Sequence, residues 1–169
     1  LRGHKLKIPH TNKIDIPMLR DDISSALKIA MKAKNPVATS TLRLILAAVK
    51  DRDIAARGSG GADGIGDDEV MKVMQTMIKQ RHDSIEMYEK GNRPELAEKE
   101  AQEIEIIRGF LPEQMSEDEI AAAVTAAVES LGASSLKDMG PAMGNLRENF
   151  AGRMDFGKAS ALLKQKLAG

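Results

Sequence analysis

The sequence predicts an all-α protein, a helical N-terminal domain followed by a smaller three-helix domain. Apolar residues recur at three- and four-residue spacing in segment after segment, and capping residues, glycines and prolines stand where each period breaks. No stretch of convincing length alternates apolar and polar residues as a half-buried strand does. The chain has 169 residues, enough for one domain or for two small ones that share a core.

Residues 1–17, LRGHKLKIPHTNKIDIP, hold two of the three histidines and show no helical period. They read as a cloning-derived or disordered extension, with Met18 as the natural initiator. From Met18 the pattern turns helical: Asp21 and Asp22 sit in a first turn, where carboxylates complement the helix dipole. Ile23, Ala26, Leu27, Ala30 and Met31 then form one face, and Asn35-Pro36 marks a turn. A second helix puts Leu42, Ile45, Leu46 and Val49 on one side. The glycine-rich stretch from Gly58 to Gly66 is expected to be a flexible loop. It lacks the GxxxxGK[ST] pattern and the preceding strand that a phosphate loop requires.

Asp67-Asp68-Glu69 opens the longest helix, whose Val70, Met74, Met77, Ile78, Ile85 and Tyr88 make a stripe interrupted by Arg81. Gly91-Asn92 stops it, and Pro94 suits the first turn of the next helix. That helix is crowded with glutamates and ends before Phe110-Leu111-Pro112. The N-terminal domain therefore spans 18–112 and the small domain 115–169. Ser116 and Glu119 form a capping box for a helix that runs to Gly132. Ser134 or Ser135 starts another, carrying Leu136, Met139, Met143 and Leu146. Ala151-Gly152 turns the chain, and Asp155 caps a last helix with Ala159, Leu162, Leu163 and Leu167. A domain of this size has a marginal core, so it is expected to pack on its neighbour or on a partner.

Composition excludes several chemistries. With no cysteine there is no disulfide, thiolate nucleophile or cysteine-held metal, and a reducing, cytoplasmic setting is expected. No apolar run approaches the roughly 20 residues that span a bilayer, and no secretory leader is expected. The expectation is a soluble protein without a membrane partner. One tyrosine, three phenylalanines and no tryptophan offer little for stacking on bases, so any nucleic acid is met through its phosphates and shape. The net charge of zero hides an asymmetry. Residues 1–66 carry 12 basic and 6 acidic side chains, residues 67–131 carry 7 and 16, and residues 132–169 carry 6 and 3.

Catalytic patterns are missing. His82, the only histidine outside the extension, lies in a polar run beside Arg81 and Asp83, and there is no GxSxG motif. Glu100 and Glu103 stand three apart on one helix face, but no Glu-x-x-His pair completes a carboxylate-bridged metal site. Their expected role is structural, pairing across the helix interface with Arg43, Lys79 or Arg81. Neither a metal nor a cofactor is expected.

Thr41-Leu42-Arg43 with Leu46-Ala47-Ala48, Lys79-Gln80-Arg81 with Ser84-Ile85, Tyr88, Gly91-Asn92-Arg93, Leu96-Ala97, Glu100, Glu103-Ile104 and Leu111-Pro112-Glu113-Gln114 together resemble the YqeY family. Asp138-Met139-Gly140, Met143, Leu146, Gly152-Arg153-Met154-Asp155 and Leu167 extend the likeness over essentially the whole chain from Met18. The resemblance implies a C-terminal domain similar to the tail of GatB, a subunit of the glutamyl/aspartyl-tRNA amidotransferase. There the tail contacts tRNA while other regions do the chemistry.

On that resemblance the expected function is a tRNA-binding accessory protein acting with tRNA or a tRNA-processing enzyme. The basic residues Arg147, Arg153, Lys158, Lys164 and Lys166 would supply charge, and Gly140 and Gly152 would let backbone approach a phosphate. Two alternatives stay open. One is a protein-protein adaptor that docks a protein partner. The other, implied by the family label, is a carbon-nitrogen ligase with glutamine as amido-N-donor, for which the chain offers no plausible catalytic set.

Overall fold

The structure, a computed structural model, describes residues 18–61 and 64–169. The extension assigned to residues 1–17 lies outside the described residues. The fold is all-α, with seven α-helices and no strand among the described residues.

Helix α1 spans Met18–Lys32. Lys34 then turns the chain at a left-handed φ of 53°. Asn35 caps α2 (Pro36–Gly58), its Oδ1 accepting from the Ala38 N–H at 3.1 Å, while Pro36 takes a first-turn position that needs no N–H. Three carboxylates crowd the first turn of α3 (Asp67–Lys90), where the helix dipole favours them. Helix α4 (Pro94–Arg108) again begins on a proline. Ile23 and Ala30 of α1, Leu42, Ile45 and Val49 of α2, Val70, Val73, Met74 and Met77 of α3, and Ile107 of α4 form one buried core.

The remaining helices enclose a second core. In α5 (Glu117–Leu131) the capping box is complete: Ser116 Oγ accepts from the Glu119 N–H at 3.2 Å, and Glu119 Oε2 accepts from the Ser116 N–H at 2.7 Å. Gly132 closes the helix at φ 59°, a left-handed value that glycine adopts without a Cβ clash. A 3-10 turn over Leu136–Asp138 leads into α6 (Met139–Phe150), and Asp155 caps α7 (Phe156–Ala168). Ile120, Val124, Ala127, Met143, Leu146, Met154, Ala159 and Leu163 are buried together.

Three details differ from the sequence reading. Ser135 does stand at the N-cap of a helical turn that starts at Leu136, but that turn is 3-10, and the α-helical pattern begins only at Met139. Pro141 is the reason, since a helix running from Leu136 would place this residue, which has no N–H, beyond the first turn. The Asp138 carboxylate instead accepts from the Ser134 and Ser135 N–H groups at 2.8 and 3.0 Å and closes the preceding turn, leaving Leu136 half exposed. Met31, placed on the core face of α1, is 50% exposed. Along α3, Val73 is buried while Ile78, Ile85 and Tyr88 are only partly covered.

No helix of α1–α4 packs against a helix of α5–α7 among the described residues. The link is the segment after α4 together with the α6–α7 turn. Gln114 Nε2 donates to the Gly152 carbonyl at 2.7 Å and to the Pro112 carbonyl at 2.9 Å. Its Oε1 accepts from Gln75 Nε2 on α3 at 2.9 Å. Gly152 is buried at φ 76°, and a Cβ there would overlap Met71 Sδ of α3. That glycine serves a close approach between the two halves of the chain.

Candidate nucleic-acid interface

Helix propagation places the cations of residues 132–169 on several faces. Arg147 is exposed on α6, and Lys158, Lys164 and Lys166 are exposed on α7. At about 100° of rotation per residue, Lys164 lies about 160° around α7 from Lys166 and about 120° from Lys158. The three lysines therefore do not form one stripe.

Their surroundings differ as well. Lys158 Nζ donates to Glu117 Oε1 at 2.9 Å, and the hydrogen bond to that carboxylate raises the lysine pKa above its ordinary value. Arg153, exposed in the α6–α7 turn, donates from Nε to the Glu113 carbonyl at 3.3 Å, while its own carbonyl accepts from the Met115 N–H at 2.9 Å. Arg147, Lys164 and Lys166 have no ion-pair partner among the described residues. Gly140 is exposed, with open space where a Cβ would stand. Gly152 is buried against Met71, so no phosphate reaches its backbone on that side.

Of the three cations considered for the glutamates of α4, the fold brings one to them. Arg81 Nε donates to Glu103 Oε2 at 2.9 Å and lies 4.0 Å from Glu100 Oε2. Its Nη1 donates to the Met77 carbonyl at 3.1 Å. The Arg81 and Glu103 side chains are 11% and 9% exposed. Lys79 and Arg43 are exposed, and Arg43 reaches Met31 Sδ at 4.0 Å. These Arg81 donors are directed at the protein itself, which gives the cluster a structural geometry.

The sequence reading missed a second network. Arg20 of α1 donates from Nη2 to Asp53 Oδ1 of α2 and to the Ile65 carbonyl, both at 3.0 Å, and Asp53 Oδ1 also accepts from the Ile65 N–H at 2.9 Å. Together they clamp the end of the glycine-rich loop. The Arg20 hydrogen bond is the main cause holding the Asp53 carboxyl below the usual range. Burial pushes Asp67 up, against the opposing hydrogen bond from the Leu19 N–H. Residues 33 apart carry no periodic signal, so only a count of charges at buried helix ends could have flagged them.

His82 is exposed, and no group of three or more histidine, cysteine or acidic side chains among the described residues is placed to hold a metal ion. A shallow groove of 450 Å³ separates the start of α5 from α7, with Glu117, Asp118 and Lys158 at its rim. A second, of 340 Å³, lies at the α1–α2 turn between Lys34 and Arg43. No helix among the described residues is long and apolar enough to cross a membrane.

Capped helices around two apolar cores, with lysine and arginine side chains on open surfaces, define the class of an all-helical protein. The chain belongs to the Yqey-like protein family, which matches residues 20–167. It is 36% identical over 90 residues to Altered inheritance of mitochondria protein 41, mitochondrial, of Lachancea thermotolerans, covering 53% of this chain and 46% of that protein. It is 40% identical over 85 residues to the protein of the same name from Clavispora lusitaniae, covering 50% of this chain and 46% of the relative. The chain thus spans about half the length of these relatives. An uncharacterized protein of Schizosaccharomyces pombe is 33% identical over 114 residues, 66% of this chain and 89% of its own length.

Proposed function

We propose that this chain is a binding protein for folded RNA of the tRNA kind, an accessory that contacts phosphates through its C-terminal helices and leaves chemistry to a partner enzyme. The observation that carries this reading is the surface of the small domain. Residues 132–169 hold six cations against three carboxylates, and Arg147, Lys164 and Lys166 are exposed without an ion-pair partner among the described residues. The resemblance to the GatB tail supports the choice of tRNA. Folded RNA is preferred over single strands, because Phe150 and Phe156 are the only aromatic side chains of this part and both are partly buried. A reducing compartment, cytoplasmic in this reading, suits a chain without cysteine.

Binding of labelled tRNA to the full chain, measured from 50 to 200 mM salt, tests the proposal. Arg147→Ala, Lys164→Ala and Lys166→Ala combined should weaken binding and flatten the salt dependence, by up to about 0.9 in the log-log slope for each phosphate no longer neutralised. Lys158→Ala should do less, because Glu117 already neutralises that charge. If the triple variant binds tRNA as the parent does, the tail does not form the RNA-binding surface. If the parent does not bind, the adaptor reading replaces this one.

A further inference from the structure

Between Asp22 and Asp51 the sequence carries five cations, Lys28, Lys32, Lys34, Arg43 and Lys50, and no carboxylate. These residues lie on the second half of α1, in the turn and along α2 as far as Lys50, and all five side chains are exposed. None makes an ion pair among the described residues.

Helix geometry gathers them. Lys28 and Lys32 are one turn apart on α1, and Arg43 and Lys50 are two turns apart on α2, so each pair shares a face. Lys34 and Arg43 line the same groove as Met31, and Arg43 reaches Met31 across it. On α1, Lys28 and Lys32 lie within about 100° of Met31. The two helix edges and the turn therefore present one cationic face.

The charge selects a polyanion, and the spread of apolar side chains argues against a helix lying in a lipid surface, which buries a continuous apolar stripe beside its cations. Ile29, at 68% exposure, lies about 160° around α1 from Met31, Leu44 stands at the edge of the face about 100° around α2 from Arg43, and Ile54, one turn beyond Lys50, is the exposed large apolar side chain that follows the line of the α2 cations. Met31 is left as the one large apolar side chain lining the groove between the two helices. A sugar-phosphate backbone requires only spaced cations.

We propose that this cationic face of the α1–α2 hairpin is a second phosphate-binding surface for folded RNA, about four helical turns long. The choice of ligand rests on the RNA reading above, but the surface is separate from the C-terminal cations.

The test compares the full chain, the tail variant R147A/K164A/K166A and the hairpin variant K28A/K32A/R43A/K50A in tRNA binding from 50 to 200 mM salt. Removing four phosphate-neutralising cations takes about 3.6 from the log-log slope. The parent should therefore lose on the order of 100-fold more affinity than the hairpin variant across that range. The charge-keeping variant K28R/K32R/R43K/K50R should bind as the parent does. An intact helical circular-dichroism signal in each variant removes misfolding as a cause.

If the hairpin variant binds tRNA like the parent, the inference is overturned, whatever the tail variant does. A weakened hairpin variant beside an unaffected tail variant upholds it and sinks the tail reading instead. Failure of the parent to bind tRNA overturns both. Tighter binding of the parent to phosphatidylserine vesicles than to tRNA, abolished in the hairpin variant, assigns the face to lipid and overturns the inference.

Discussion

Arg81→Met tests whether the polar cluster between α3 and α4 serves structure. The substitution keeps most of the side-chain length and removes the guanidinium that Glu103 contacts at 2.9 Å. Glu103 is 7% exposed overall and has no other hydrogen-bond partner among the described residues. Its charge would be left buried and unpaired, which costs about 3 to 5 kcal/mol. That is a large share of the roughly 5 to 15 kcal/mol that holds a typical domain together. Replacing both partners, Arg81→Met with Glu103→Met, removes the stranded charge along with the pair, so the double variant should recover most of the loss.

The assay is urea unfolding of the full chain. Tyr88 is the only tyrosine and tryptophan is absent, so intrinsic fluorescence reports on α3 itself. The midpoint should fall steeply for the single variant and return toward the parent for the double. A single variant within about 1 kcal/mol of the parent, or a double variant as unstable as the two singles added, would refute the argument. Unchanged stability with impaired tRNA binding would move Arg81 into the binding machinery.

Gly152→Ala should cost about 2 to 3 kcal/mol, because a non-glycine residue pays roughly 1 to 2 kcal/mol in the left-handed region and the new Cβ displaces Met71. Adding Met71→Ala should recover only the steric part, which the same urea titration resolves. Asp53→Asn should cost about 1.5 to 3 kcal/mol at neutral pH, since it replaces a charge-assisted hydrogen bond to Arg20. The folded pKa of Asp53 lies below its unfolded value, so the contribution is full above about pH 5. It is lost as pH falls below the ordinary aspartate value of about 3.9. Unfolding curves of parent and variant should therefore converge in strong acid. A gap that stays constant from neutral pH into strong acid would show that the carboxylate charge is not what matters. For Asp67, whose pKa burial raises, the sign reverses: Asp67→Asn should help most above the raised value and least in acid.

Much of the helical framework was legible because the signals that make it are local. Ser116 with Glu119, and Asp155, meet backbone N–H groups within three residues of themselves, and a capping residue at that spacing can be read directly from the order of residues; Asn35, read only as a turn, caps α2 in the same way. Ser135 likewise stands at the N-cap of a helical turn, but Pro141 keeps that turn 3-10 and delays the α-helix to Met139. Apolar periodicity located Leu42, Ile45 and Val49 equally well, since a helix face is fixed by rotation per residue alone.

Which partner each buried charge takes was another matter. Arg43, Lys79 and Arg81 were equally good candidates for Glu100 and Glu103, and the crossing of α3 over α4 selected Arg81, leaving the other two in solvent. The same holds for Arg20 with Asp53 and for Met71 with Gly152, pairs separated by 33 and 81 positions. No periodicity runs between such residues, and the angle at which one helix meets another depends on the whole set of core side chains at once. The sequence by itself determined the helices, their caps and the uneven spread of charge, because those depend on neighbours within a turn. Tertiary structure alone decided which charges are buried in pairs, which glycine yields to a methionine, and which cations remain exposed for a partner, because those depend on packing between distant segments.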